Sequence, residues 1–119
     1  MPVSSQVAQR TSFFARPVPG CRLMHASFNE LAERELNDAA QYYERERKGL
    51  GSAFIDKIDR ATAMILEYPE ASPAVLGDVR RRLCERFPYA LLYCVRGNEV
   101  RILAVMNLSR RPGYWVGRA

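Results

Sequence analysis

The hydrophobic pattern changes period once along the chain, near Gly77, and that change constrains the fold more than any other feature. Before it, apolar residues recur every three or four positions, the spacing of one helix face; after it they alternate, the spacing of a half-buried strand. Phe28, Leu31/Ala32, Leu36, Ala39 and Tyr43 predict a helix from about Glu30 to Arg47, with Asn29 as N-cap, acids in the first turns and bases in the last. Gly49 suits the left-handed position that ends it. Ser52 is the expected cap of a second helix, in which Phe54, Ile58, Ala61 and Ile65 share a face until Pro69 stops it. A turn as short as Gly49-Leu50-Gly51 makes the two helices antiparallel. Glu70 to Gly77 reads as a surface loop. Runs from Val79 to Cys84, Tyr89 to Val95 and Glu99 to Met106 then read as three strands, joined by a Phe87-Pro88 corner and an Arg96-Gly97-Asn98 hairpin turn. Such a meander is antiparallel, buries one face against the helix hairpin and leaves the other for solvent or a partner.

The chain has 119 residues, 48% of them hydrophobic and 26% charged, which fits one small α+β domain. Residues 1–23 carry Arg10, Arg16 and Arg22, no acid and no periodicity. They are expected to be a disordered extension or a mis-assigned start, with Met24 opening a domain of residues 24–119. Ser12–Val18, broken by Arg16 and Pro17, is too short and polar for a secretory segment. No apolar run approaches the roughly 20 residues that cross a bilayer, so no membrane association is expected. Cys21, Cys84 and Cys94 form no CxxC pair, which argues against a disulfide framework or a zinc site and for a reducing cytoplasm. Neither a metal nor a nucleotide cofactor is indicated. The formal charge of +5 is unevenly placed: residues 24–77 hold six Lys/Arg against ten Asp/Glu, whereas residues 78–119 hold nine Arg against three acids. Arginine suits forked contacts with phosphate or carboxylate, so a polyanion or an acidic protein surface is the expected partner.

Ala39-Ala40-Gln41-Tyr42-Tyr43, Gly49-Leu50-Gly51, Phe54 and Pro69 are followed by Arg80-Arg81, Phe87-Pro88-Tyr89, Tyr93, Ala104-Val105 and Arg110-Arg111-Pro112-Gly113-Tyr114-Trp115. In this order they resemble the RelE/ParE toxin superfamily of bacterial type II toxin–antitoxin, or plasmid stabilisation, modules. The resemblance runs from about Met24 to the C-terminus. It implies a helical hairpin over a three- or four-stranded antiparallel sheet, and adds a short first strand near Met24 to Phe28. It also implies a cognate antitoxin as partner and either DNA gyrase or the ribosome and its mRNA as target. Related sequences often carry a His before the final arginine pair, where this chain has Asn107. Its only His, His25, sits at the far end of the sequence and reads as a surface residue.

A RelE-type endoribonuclease needs a group to take the 2′-hydroxyl proton and cations to stabilise the phosphorane. The candidates are Arg80 and Arg82 on one strand face, Glu85 as base, and Arg110 and Tyr114 in the tail. Arginine stabilises phosphate but rarely releases a proton, and lysines are missing after Lys57. Arg80 to Arg82 read equally as a solvated strand edge. Tyr89 and Tyr93 read as core or half-buried, Tyr42 and Tyr43 as packing for the helix hairpin. Arg110, Arg111, Tyr114 and Trp115 form the expected target-contact surface, with Trp115 balanced between an anchor and a core plug. Three functions follow in order of preference: a ParE-like toxin of DNA gyrase, a RelE-like ribosome-dependent mRNA endoribonuclease, and a non-toxic nucleic-acid-binding module.

Overall fold

The computed structural model describes residues 15–18, 22–111 and 113–118. Cys21, Pro112 and most of the 1–23 stretch lie outside them. Two strands, β1 (Ala15–Val18) and β2 (Arg22–Phe28), lead into a helix hairpin of α1 (Glu30–Glu46) and α2 (Leu50–Glu67). Four more strands follow: β3 (Ala74–Leu76), β4 (Val79–Leu83), β5 (Tyr89–Arg96) and β6 (Glu99–Asn107).

The α+β class and the helix hairpin on a sheet agree with expectation; the sheet is larger and mixed. Among the described residues it has six strands in the order β1-β2-β6-β5-β4-β3, and β2 runs parallel to β6. The helices carry the chain from β2 across to the far edge, so β6 returns beside β2 in the same direction. Met24, the expected domain boundary, falls inside β2, and β1 pairs antiparallel with it as an edge strand. The stretch read as loop holds β3, which pairs with the start of β4.

Local chemistry accounts for most element ends. The Asn29 side chain accepts from the Leu31 amide at 2.8 Å, and acids occupy the first turn of α1. Gly49 is left-handed, at φ 86°, as expected. The expected Ser52 cap is corrected: Gly49 is the cap, so α2 begins three residues earlier, and the amides at its start are held by Glu44 of α1, which accepts from Gly49 and Gly51 at 3.0 Å each. A Cβ on Gly51 would stand 2.5 Å from the Ala40 carbonyl oxygen, so the close approach of the helices requires glycine there.

The main core lies between hairpin and sheet and includes Leu36, Phe54, Ile58, Ile65, Leu91 and Tyr93. Tyr93 is fully buried, and its hydroxyl donates to the Pro69 carbonyl at 2.7 Å, tying β5 to the end of α2. Tyr43 stacks against Phe54, Phe87 and Tyr89, which docks the helices on the Phe87-Pro88-Tyr89 corner. Tyr42, expected to help pack the hairpin, is instead 55% exposed. In β6, Ala104 faces Leu92 and Ile102 faces Tyr93, so Leu103 is an extra bulged residue. The bulge shifts the alternation and lets Ile102 and Val105, three apart, face the same core.

Candidate protein-contact site around the C-terminal tail

Because β2 stops at Phe28, no described strand flanks the second half of β6 on that side; the last link is the Asn29 amide on the Ile102 carbonyl at 2.8 Å. A bare edge leaves backbone groups to be satisfied. Glu35, in the second turn of α1, accepts from the Val105 amide at 3.0 Å, and Arg118 donates to the Leu103 carbonyl at 3.1 Å. The guanidinium of Arg118 also forks onto the Glu35 carboxylate at 3.0 and 3.2 Å, and the Tyr114 hydroxyl donates to it at 2.7 Å. Both charged side chains are largely withdrawn from water, at 13% and 18% exposure. Glu35 thus clamps the tail to the sheet edge.

The chain reaches this clamp through tight turns. The Asn107 side chain accepts from both the amide and the hydroxyl of Ser109, ending β6. Further on, left-handed Gly113 starts a turn in which its carbonyl accepts from Val116 at 3.0 Å. Between these turns Arg110 and Arg111 stay exposed. The guanidinium of Arg110 lies 4.3 Å and that of Arg118 5.0 Å from the centre of the Tyr114 ring. Arg110 borders an open cleft of about 190 Å³ with Asp38, Tyr42, Tyr89 and Asn107. Burial, and then the hydrogen bond to Glu35, push the Tyr114 hydroxyl well above the usual tyrosine range.

Trp115 is 7% exposed and packs on Leu92 and Ala104 from the side away from the helices. The sheet face expected to stand open is therefore partly closed by the chain's own tail. With its ring turned inward, Trp115 acts as a plug; of the four residues expected to contact a target, Arg110 and Arg111 are the open ones.

The candidates for ribonuclease chemistry fall into separate places. Arg80 gives its guanidinium to the carbonyls of Ser72 and Glu70 at 2.7 and 3.3 Å, fixing the loop after α2. Arg82 and Glu85 line a cleft beside α2, where Glu85 meets Lys57 at 3.4 Å. Arg110 and Tyr114 lie together in the tail. His25, in β2, pairs in register with Glu99 at the start of β6, so nine residues of strand put it roughly 25 Å from Asn107. Glu35 and Arg118 were not anticipated. An acid beside the buried stripe of Ala32, Leu36 and Ala39 was the one sign for Glu35; Arg118, near the chain end, gave none.

Among the described residues no helix is long and apolar enough to cross a membrane, and no group of three or more His, Cys, Asp or Glu could hold a metal ion. No curated protein sequence matches the chain. A solved structure described as the chromosomal ParDE TA system from P. aeruginosa is similar with a TM-score of 0.65 at 18% identity, covering 72% of this chain and 97% of that one. At that identity the likeness is one of fold. Sequence adds the rest: the family model for the ParE toxin of type II toxin–antitoxin systems, parDE, matches residues 26–112. The chain belongs to the ParE toxin family.

Proposed function

We propose that this ParE-family protein arrests bacterial growth in the cytoplasm by direct contact with DNA gyrase, and that a cognate antitoxin neutralises it. The observation that carries the reading is the state of Tyr114. Its hydroxyl is committed to Glu35 and holds its proton tightly, which suits a packing group better than a reacting one. Next to it Arg110, with its guanidinium over the Tyr114 ring, and Arg111 are both exposed, a composition enriched at interface hot spots. The separation of Arg82 and Glu85 from the tail favours contact over cleavage in the same way.

Two reactions with purified protein test the target: supercoiling of DNA by gyrase, and cleavage of a message on programmed ribosomes. The reading expects inhibited supercoiling that is relieved by the Arg110→Ala, Arg111→Ala double variant, with the message intact. Cleavage at the ribosomal A site that disappears in Tyr114→Phe would instead make this an enzyme. Neutralisation is tested by expression from a tight promoter with and without the neighbouring gene: growth arrest should appear only without it.

A further inference from the structure

The open cleft beside Arg110 holds a carboxylate that no described residue pairs with. Glu35, Asp38 and Tyr42 follow one another at steps of three and four along α1, so one helix face brings all three to the cleft. Both oxygens of Glu35 are taken by the Val105 amide, the Tyr114 hydroxyl and the fork of Arg118, which also balances its charge. Asp38 is exposed and forms no hydrogen bond or ion pair among the described residues, although Arg110 lines the same cleft. The Arg110 guanidinium lies instead 4.3 Å from the centre of the Tyr114 ring. Two tyrosines complete the walls. Tyr89 is half-buried and set edge-on to Phe54, with ring centres 5.0 Å apart. Tyr42 leans on Tyr43 at 5.3 Å and keeps its outer side open to water.

We propose that this cleft takes a cationic side chain of the toxin's protein target, an arginine or a lysine, with its head group on Asp38 and its stem against Tyr42 and Tyr89; this rests on the reading above that the tail meets a protein. A guanidinium gains from a carboxylate without a partner and from the faces of tyrosine rings, and the cleft offers both. A carboxylate or phosphate drawn to Arg110 from this side would meet Asp38, and like charges set against each other cost binding. Nucleic acid is disfavoured for that reason, even though two rings are there for bases to stack on. Anions are better placed in a second hollow, which Arg110 shares with Arg111, Gly113 and Tyr114 and which no described acid lines. Arg110 thus divides an acid-bearing cleft from one without acids, and the matching target surface carries a base next to an acid. Such alternation rejects surfaces of a single sign, whichever sign they have.

Two measurements on the full chain test the cleft separately from the gyrase reading. In the first, backbone amide shifts are followed by NMR as N-acetylarginine amide, N-acetylglutamate amide or a short single-stranded oligonucleotide is added. Saturable shifts at Asp38 and Tyr42 should appear with the arginine probe alone, vanish in Asp38→Asn and shrink in Tyr42→Ala. Both positions are exposed on α1, so each variant should keep the melting temperature of the parent. In the second, half-inhibition of gyrase supercoiling should need about tenfold or more of Asp38→Asn than of the parent, and still more of Asp38→Lys. Absent arginine shifts at Asp38, equal shifts with the glutamate probe or the oligonucleotide, or inhibition by Asp38→Asn and Asp38→Lys at the parent's concentration would each overturn the proposal. A parent that leaves gyrase untouched yet binds the arginine probe through Asp38 would sink the gyrase reading while supporting the cation cleft.

Discussion

Replacing Glu35 by alanine would strip the Val105 amide, the Tyr114 hydroxyl and the Arg118 guanidinium of their acceptor at once. Removing one partner of a largely buried pair leaves the other charge without compensation, so Glu35→Ala should cost about 2 kcal/mol or more in urea unfolding. Loss of toxicity in that variant with unchanged stability would mean that Glu35 meets the target directly and is not a clamp. Trp115→Ala should cost about 3 kcal/mol, because it opens a void against Leu92 and Ala104. Arg110→Ala and Arg111→Ala, at exposed positions, should each stay within about 0.5 kcal/mol of the parent while weakening the target effect. Equal stability losses at all three positions would argue for a tail that is wholly structural. The exposed arginines were legible from the sequence because charge and a turn at Gly113 mark a surface. The clamp was not: Glu35 and its tail partners are 79 and 83 residues apart, and nothing local in either segment encodes the pairing.

The helix hairpin was the most legible element, since its period, the Asn29 cap and Pro69 each follow from local physics. Its closest contact was hidden. Gly51 reads as a turn residue, yet it sits inside α2, where its missing side chain lets the Ala40 carbonyl approach. Gly51→Ala tests this with two opposed terms: alanine gains about 1 kcal/mol in helix propensity, but a Cβ at 2.5 Å from a backbone oxygen must push the helices apart. Overpacking of that kind typically costs about 1–3 kcal/mol, so the net change should be a loss, read as a lower melting temperature. A rise would show that the hairpin opens freely at this point. The sheet was legible in its meander and not at its edges. β3 has three residues, all exposed, too few for alternation to register. The parallel pairing of β2 with β6 arises from the crossover of the helices, a tertiary relation that no window of sequence displays.

For the molecule as a whole, the domain is proposed to stand without its first 23 residues: a chain starting at Met24 keeps five strands of the sheet and should melt within a few degrees of the full chain. A larger drop would show that β1 is integral. The response to alkali gathers contributions from both cores. Burial raises the thiols of Cys84 and Cys94 above their ordinary value of 9.0, and the hydroxyls of Tyr43 and Tyr114 above 10.0. Each group therefore binds its proton more tightly folded than unfolded. Below pH 9.0 both states are protonated and these groups leave stability unchanged. Above it the unfolded chain loses protons first, so folding weakens, from the thiols initially and from the tyrosines once pH passes 10.0. Urea unfolding under reducing conditions should accordingly show a plateau near neutrality and a decline that steepens with alkali. Tyr114→Phe, which removes the hydroxyl held by Glu35, should flatten the second part of that decline and leave the first. A stability that stays level to about pH 11 would mean that these groups are as open to water in the folded chain as in the unfolded one.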